Sequence, residues 1–294
     1  MVTSELRDVV CARCGGSEQR QRFEIRGWRI VDCVSCGMRY LSPRMPDHAY
    51  AAIYDDEYFK SPDSLLRGYE DYAGERESIL RTFRRRWKHI EVEHGGRYLD
   101  IGCAFGYGLD VAAEAGMEPF GVDVSAHAVA EAKSRGLHVE RGGLDEAERS
   151  FGGPFRVVTS WDVIEHLPDP RAHLATIAKL MEPGGILSII TPDRGSATAR
   201  MFGTRWVEYQ KPEEHIHFFR RQDLRALLGD AGLEVQHETT AGKYVSIGFA
   251  MSRLVSYSRI AALVARVTSP LAGHTIYVDP LDKMHLLARK PYVA

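Results

Sequence analysis

The segment Tyr98-Leu99-Asp100-Ile101-Gly102-Cys103-Ala104-Phe105-Gly106-Tyr107-Gly108, followed after a helix-length gap by Gly121-Val122-Asp123-Val124-Ser125, constrains the fold more than any other. It predicts a strand, a glycine-rich turn, a helix and a second strand ending on an acid, which is half of a nucleotide-binding α/β unit. The small residues let the backbone pass close to a ligand, and Asp123 is placed to accept hydrogen bonds from a ribose. A dinucleotide site asks for glycine at relative positions one, three and six. Counted from Gly102 these positions hold Gly102, Ala104 and Tyr107, and from Gly106 they hold Gly106, Gly108 and Val111. Neither frame fits, so a pyrophosphate cradle is not indicated.

Downstream, strands expected at 98–101, 119–123, 137–140, 156–160, 185–191 and 233–238 alternate with helices at 108–115, 126–135, 170–181 and 221–231. Such alternation predicts a mostly parallel sheet covered on both faces. A final strand over 284–289 follows a helical insert spanning about 244–268, with Phe249, Leu254, Ile260, Leu263 and Val264 in amphipathic order. That insert suits a substrate cover, a partner surface or plain packing on the sheet. Residues 46–96 carry helical periodicity, with Tyr54, Tyr58, Tyr69 and Tyr72 among charged neighbours. The run Arg84, Arg85, Arg86 and Lys88 reads first as a solvated helix face and second as a phosphate contact.

Four of the five cysteines form two C-x2-C pairs, Cys11/Cys14 and Cys33/Cys36, each followed by glycine (Gly15, Gly37). The spacing is that of a four-cysteine zinc ribbon, a closed structural site with no open coordination position. Two disulfides or four unrelated thiols would be the alternative. Cys103, inside the glycine turn, reads as a small packing residue.

The order Asp-x-Gly-x-Ala-x-Gly from Asp100, with the acid at Asp123, resembles the class I S-adenosylmethionine (SAM) dependent methyltransferases. The likeness extends to Ser160-Trp161-Asp162-Val163-Ile164-Glu165-His166-Leu167-Pro168-Asp169-Pro170, which is similar to a segment of methyltransferases of glycan, deoxysugar and ubiquinone biosynthesis, and to Pro212 through Phe219, where relatives carry Pro-Glu-His-(Ile/Leu)-x-(Phe/Tyr)-Phe. The resemblance implies a Rossmann-like seven-stranded sheet with its last strand antiparallel, preceded by a zinc ribbon (1–45) and a helical cap (46–96), the methyltransferase domain occupying 97–294. It further implies that Asp100, Gly102, Cys103, Ala104, Phe105 and Gly106 line the methionine end of SAM, and that Asp123 and Val124 hold the ribose. Gly143 and Leu144 would meet adenine through the backbone, because Arg141-Gly142-Gly143-Leu144 lacks the acid found there in many relatives. Trp161 and Asp162 would pass the cofactor, and Tyr72 would reach its carboxylate from the cap. Ala104 stands where the family usually has glycine; it fits if its backbone stays out of the positive-φ region.

SAM brings an activated methyl group, so such an enzyme must hold the acceptor in line, exclude water and take a proton from a hydroxyl. Among twelve histidines, His215 is the expected base, with His166 and Glu165 assisting; Glu165 and His166 equally suit a structural hydrogen-bonded pair. His215 and His217 resemble a metal pair without an apparent third ligand. The expected acceptor is a small molecule, first a sugar, sugar nucleotide or secondary-metabolite hydroxyl, then a C-methylated deoxysugar or a phenolic quinone precursor. Two other readings stand beside it. One is nucleic-acid modification, with Arg13, Arg20, Arg22, Arg26, Arg29, Phe23 and Trp28 gripping a strand; the other is SAM binding without turnover. A net charge of −2 gives no global case for nucleic acid or an anionic membrane. No apolar run nears the roughly 20 residues of a membrane span, and the amino terminus has no signal-peptide core, so a cytoplasmic protein is expected. A homo-oligomer stays open as a partner, its state not legible from the sequence.

Overall fold

The computed structural model describes residues 6–50, 53–54, 59, 71–92, 95–248, 251 and 273–292. The cysteine-rich segment builds a first sheet. Its strands β1 (Gln19–Ile25) and β2 (Trp28–Cys33) form a hairpin whose two loop residues, Arg26 and Gly27, both have positive φ (51° and 81°). That is what a two-residue hairpin turn with the strands' own twist requires. Strand β3 (Arg39–Leu41) pairs antiparallel with β2. A single turn, α1 (Asp47–Tyr50), and the helix α2 (Arg76–Trp87) follow. Tyr58 and Tyr69 lie outside the described residues.

The large sheet comes next. Its first half is β4 (Arg97–Ile101), α3 (Tyr107–Glu114), β5 (Glu118–Asp123), α4 (Ala126–Ser134), β6 (Val139–Arg141), α5 (Leu144–Phe151) and β7 (Phe155–Trp161). The second half is α6 (Pro170–Leu180), β8 (Met181–Pro192), α7 (Ala197–Phe202), the two-residue β9 (His217–Phe218), α8 (Arg221–Asp230), β10 (Glu234–Thr240), β11 (Lys243–Ser246), β12 (Thr275–Val278) and β13 (Lys283–Arg289). Seven strands lie in the order β10-β13-β8-β7-β4-β5-β6; β4 through β8 pair in parallel, while β13 runs antiparallel to both β8 and β10. Chain order reverses between β4 and β7, so the carboxyl ends of these two strands open the crevice where α/β sheets of this kind take their ligands.

Strand side chains divide between two cores with the period of two that a pleat imposes. Leu99, Val158, Leu187 and Ile189 face α6 and α8, whereas Tyr98, Val157, Ile186 and Ile190 face α3 and α4. Burial of each such aliphatic side chain contributes about 1.5–3 kcal/mol. The first core also contains Cys11, Cys33, Met38 and Tyr40 of the ribbon. In addition, β9 completes the ribbon sheet as its fourth strand, with Arg39 opposite Phe218 and Tyr40 opposite His217.

Two expectations change. The insert does not begin as a helix: Lys243–Ser246 is a strand paired with Thr275–Val278, because Tyr244 and Val245 favour a pleated surface and a short apolar run does not declare its period. Phe249, Leu254, Ile260, Leu263 and Val264 lie outside the described residues. The basic run is likewise not one solvated face. Arg84 pairs with Glu114 at 2.8 Å and Arg85 covers the Tyr277 ring, but Arg86 turns inward over the Trp161 ring, 5.4 Å from its centroid.

Candidate active site

At the end of β4 the chain folds over the end of β5. Gly102 (φ 74°) and Cys103 both donate amide hydrogens to the Val122 carbonyl, and the Ala104 amide donates to Asp123 Oδ2 at 2.8 Å. Reaching that carboxylate puts Ala104 itself at φ 47°, in the left-handed region the sequence expectation had kept it out of. An alanine there costs roughly 1–2 kcal/mol relative to glycine. Asp123 Oδ1 accepts from the Ser125 amide at 2.9 Å, so the acid is held rigidly while each oxygen keeps a lone pair for a hydroxyl. Val124, beside it, is exposed. Gly106, also left-handed, starts α3.

Other members of the expected cofactor set are committed to the protein. Asp100 is buried; it accepts from Thr159 at 2.6 Å, and burial raises its pKa to about 7. Cys103 packs against Gly121, where a Cβ would lie 2.8 Å from its sulfur, and burial drives its thiol far up. That suits a packing residue and not a nucleophile. Trp161 donates to Ser188 at 2.9 Å, with its ring against Phe83 in the second core. Tyr72 stacks on Tyr107 and packs edge-on against Phe105, which places the cap over the glycine turn. Gly143, at the start of α5, opens on free space beside the buried Leu144.

The loop after β7 closes on the same turn. A Cβ on Gly102 would lie 2.6 Å from Val163 Cγ2, and the short 3₁₀ turn Ile164–His166 that follows carries Glu165 and His166. His166 Nδ1 lies 2.8 Å from the Glu214 carbonyl, which can only accept; the hydrogen is therefore on Nδ1 and Nε2 carries the lone pair. That lone pair faces Glu165 Oε1 at 3.8 Å, while Glu165 Oε2 accepts from Thr191 at 2.9 Å. The His215 ring meets His166 edge-on, centroids 4.7 Å apart. His217, two residues on, points elsewhere, with Arg44 3.5 Å from its Nε2. The His215/His217 pairing thus gives way to a different trio: Glu165, His166 and His215 each bring one ligand atom within 4.8 Å of the others. Glu165 Oε1 and His215 Nδ1 have no hydrogen-bond partner among the described residues.

Burial dominates the electrostatics here. It lifts Glu165 to about 8, with help from the Asp162 charge, lowers His166 to about 4 and depresses His215 strongly. Burial thus favours the neutral form of all three. Asp162 is the exception: burial opposes its ionisation, but the Lys283 ammonium 2.6 Å away and Arg86 outweigh it and hold the carboxyl below its usual range. Asp162 sits at φ 56°, a strained conformation of the kind that collects at functional sites. Sequence reasoning missed three supports of this site. Glu208 Oε2 lies 3.4 Å from His215 Nδ1, Lys283 anchors Asp162, and the Tyr54 ring packs edge-on to His166. Glu208 lies seven residues before His215, upstream of the Pro212–Phe219 motif; Lys283 is close only because β13 inserts beside β8.

The four ribbon cysteines converge from two matching knuckles. Gly15 donates to the Cys11 carbonyl and Gly37 to that of Cys33, both glycines at φ just above 70°. Cys11 and Cys36 sulfurs are 3.5 Å apart, as are those of Cys14 and Cys33, and all four lie within 4.8 Å of one another. Four thiolates on zinc at ~2.3 Å would sit about 3.8 Å apart, so the donor set fits a zinc ion with little adjustment. Around it, Arg13, Arg22, Arg26 and Arg29 are paired with Asp223, Asp32, Glu213 and Asp8, and Phe23 and Trp28 pack on the core behind the sheet. Those four arginines are turned to the protein's own acids, which weakens the strand-gripping reading, while Arg20 of the same cluster is exposed. Among the described residues no helix is long and apolar enough to cross a membrane.

A family model described as a methyltransferase domain matches residues 72–238. A ubiquinone biosynthesis O-methyltransferase of Cereibacter sphaeroides is 32% identical over 187 residues, covering 58% of this chain and 74% of that protein. One of Caulobacter vibrioides is 31% identical over 175 residues, covering 55% and 68%. Among solved structures, a SAM-dependent methyltransferase of Archaeoglobus fulgidus superposes with a TM-score of 0.54 at 19% identity, over 80% of this chain and all of that one. The [4+2]-cyclase SpnF does so with a TM-score of 0.50 at 19% identity, over 74% and 82%. The cyclase shows that the fold by itself does not fix the chemistry.

Proposed function

The chain belongs to the class I SAM-dependent methyltransferases, and from that premise we propose that it methylates a hydroxyl of a small molecule, with SAM bound over 102–106 and Asp123 and the proton taken by His215. The observation that carries this reading is the contact of Val163 with Gly102: the loop lying against the cofactor turn is the one that brings Glu165 and His166 to His215. SAM, when bound, supplies the methyl group on its sulfonium. The residues' part is to hold SAM by its ribose at Asp123, to exclude water beneath the Tyr72 cap, and to receive a proton at the imidazole of His215, with Glu208 beside its Nδ1.

Acceptor acidity decides between the candidate hydroxyls. An imidazole depressed by burial is a weak base. A phenol near pKa 10 is easier to deprotonate by about 8 kcal/mol than an alcohol close to water's ~15.7. This favours a phenolic acceptor over a sugar, in keeping with relatives that are O-methyltransferases of ubiquinone biosynthesis. The test is to incubate the full chain with labelled SAM and matched panels of catechol-like phenols, sugars and sugar nucleotides. Label on a phenol supports the reading, and label on sugars alone overturns the acceptor class. SAM binding with no transfer to any acceptor would favour a non-catalytic role.

One observation favours a second reading. The lone-pair atoms of Glu165, His166 and His215 converge, and two of them lack a hydrogen-bond partner among the described residues, as in a two-histidine, one-carboxylate metal site. A divalent ion held there would acidify the acceptor hydroxyl directly. Transfer that stops on chelation and returns with a divalent metal, while the ribbon zinc stays bound, would select this reading.

A further inference from the structure

We propose that the cysteine ribbon is the scaffold of the catalytic segment: through β3 it holds residues 206–219 in register with Glu165, so that metal loading of the four cysteines governs methyl transfer. The inference rests on the reading of His215 as part of the transfer machinery.

A continuous backbone connection joins the two sites. The Ile216 amide donates to the Glu165 carbonyl at 3.0 Å, and the Leu41 amide donates to the Ile216 carbonyl at 2.9 Å. Beyond it, β3 pairs with β9 at Tyr40–His217 and Arg39–Phe218. His215 is the residue immediately before this seam. On the other side, the second metal knuckle leads straight into β3, its Cys33 amide donating to the Met38 carbonyl at 2.8 Å.

Arg39 adds a side-chain tie. Its guanidinium forks onto Asp32 of β2 at 2.7 and 3.0 Å and donates to the Tyr209 hydroxyl at 2.9 Å. Tyr209 adjoins Glu208, the carboxylate beside His215, and its ring packs edge-on against Phe218. Arg13 and Arg220 clamp the knuckle from the far side, donating both to the Cys36 carbonyl and to the fully buried Asp223 of α8. A ribbon built only to dock an acceptor or a strand would have no need to share a sheet with the segment that ends on His215. Arg39 is therefore a positioning residue, acting through Tyr209 and Glu208.

The experiment compares the metal-loaded full chain with the chain stripped by a chelator, using hydrogen exchange, SAM affinity and methyl transfer. Stripping is expected to raise exchange together in 7–44, 206–219 and 163–167 and to leave 97–124 protected. SAM affinity stays the same, and turnover falls by about 10²-fold, as a misplaced group demands. Exchange that rises only within 7–44, or transfer that survives stripping, would overturn the proposal. Should stripping open the whole chain, Arg39→Met in the metal-loaded protein decides. Faster exchange in 206–219 and a lower kcat with unchanged KM for SAM support the proposal; wild-type values for both refute it. Full activity of His215→Ala would remove the base reading alone, leaving the exchange pattern to judge the scaffold.

Discussion

His166 and His215 meet edge-on with ring centroids 4.7 Å apart and planes at 74°, although one belongs to the loop after β7 and the other to the segment that ends in the ribbon sheet. The meeting is fixed on both sides. His166 Nδ1 donates to the Glu214 carbonyl, and the Ile216 amide donates to that of Glu165, so each backbone flanks the other's side chain. Two motifs that look independent along the chain therefore meet in one place, set against the glycine turn by Val163.

Asp123→Ala should weaken SAM binding by about 1.5–3 kcal/mol, or roughly ten- to 150-fold, the worth of hydrogen bonds to a charged acceptor. Part of that loss would come through Ala104, whose amide Asp123 holds at 2.8 Å. Titration calorimetry reads the change, and wild-type affinity would remove the ribose assignment.

Ala104→Gly should stabilise the protein. Relief of the left-handed alanine is worth roughly 1–2 kcal/mol, against about 0.4–1 kcal/mol for the freer unfolded chain. The balance is a gain of about 0.5–1 kcal/mol, visible as a rise in Tm at unchanged SAM affinity. A fall in Tm would mean that φ 47° at this position is not strained as argued.

Asp100 makes stability fall with rising pH. Its folded pKa of about 7 lies above the ordinary carboxyl value of 3.8, so the folded state binds the extra proton between them. The contribution is complete below about pH 4 and lost as pH rises through 7, on the order of 4 kcal/mol in total. Asp100→Asn keeps an acceptor for Thr159 and removes the titration. Its Tm relative to wild type should be clearly higher at pH 8 than at pH 5, and a constant difference across that range would contradict the assignment.

The ribbon should carry one zinc per chain, measured by elemental analysis of the purified protein. Cys33→Ser should lose it, because the remaining three sulfurs leave the tetrahedron open. Metal retained at full stoichiometry would refute the four-cysteine site.

Local patterns made much of this legible. Strand periodicity and glycine punctuation located β4 through β8, β10 and β13, since each turn chemistry acts within a few residues, while the antiparallel run of β13 came from the family resemblance. The paired Cys-x2-Cys-Gly knuckles were equally local. Other features depended on contacts distant in sequence. The strand at Lys243–Ser246 is defined by a partner beyond the insert, and Lys283 reaches Asp162 only through sheet order. Ala104 misled for a related reason: its φ is set by Asp123 on the next strand and not by its neighbours. The second use of the ribbon sheet, as a seat for His217 and Phe218, left no trace in spacing or composition.

The central claim is that the cofactor turn and the His166–His215 pair form one methyl-transfer site. Its most direct test is the rate of S-adenosylhomocysteine formation by wild type and His215→Ala at saturating SAM with a phenolic acceptor, with SAM affinity measured alongside. The account predicts a loss of about 10²–10⁴-fold in kcat at unchanged affinity for SAM. Wild-type turnover in the variant would contradict it.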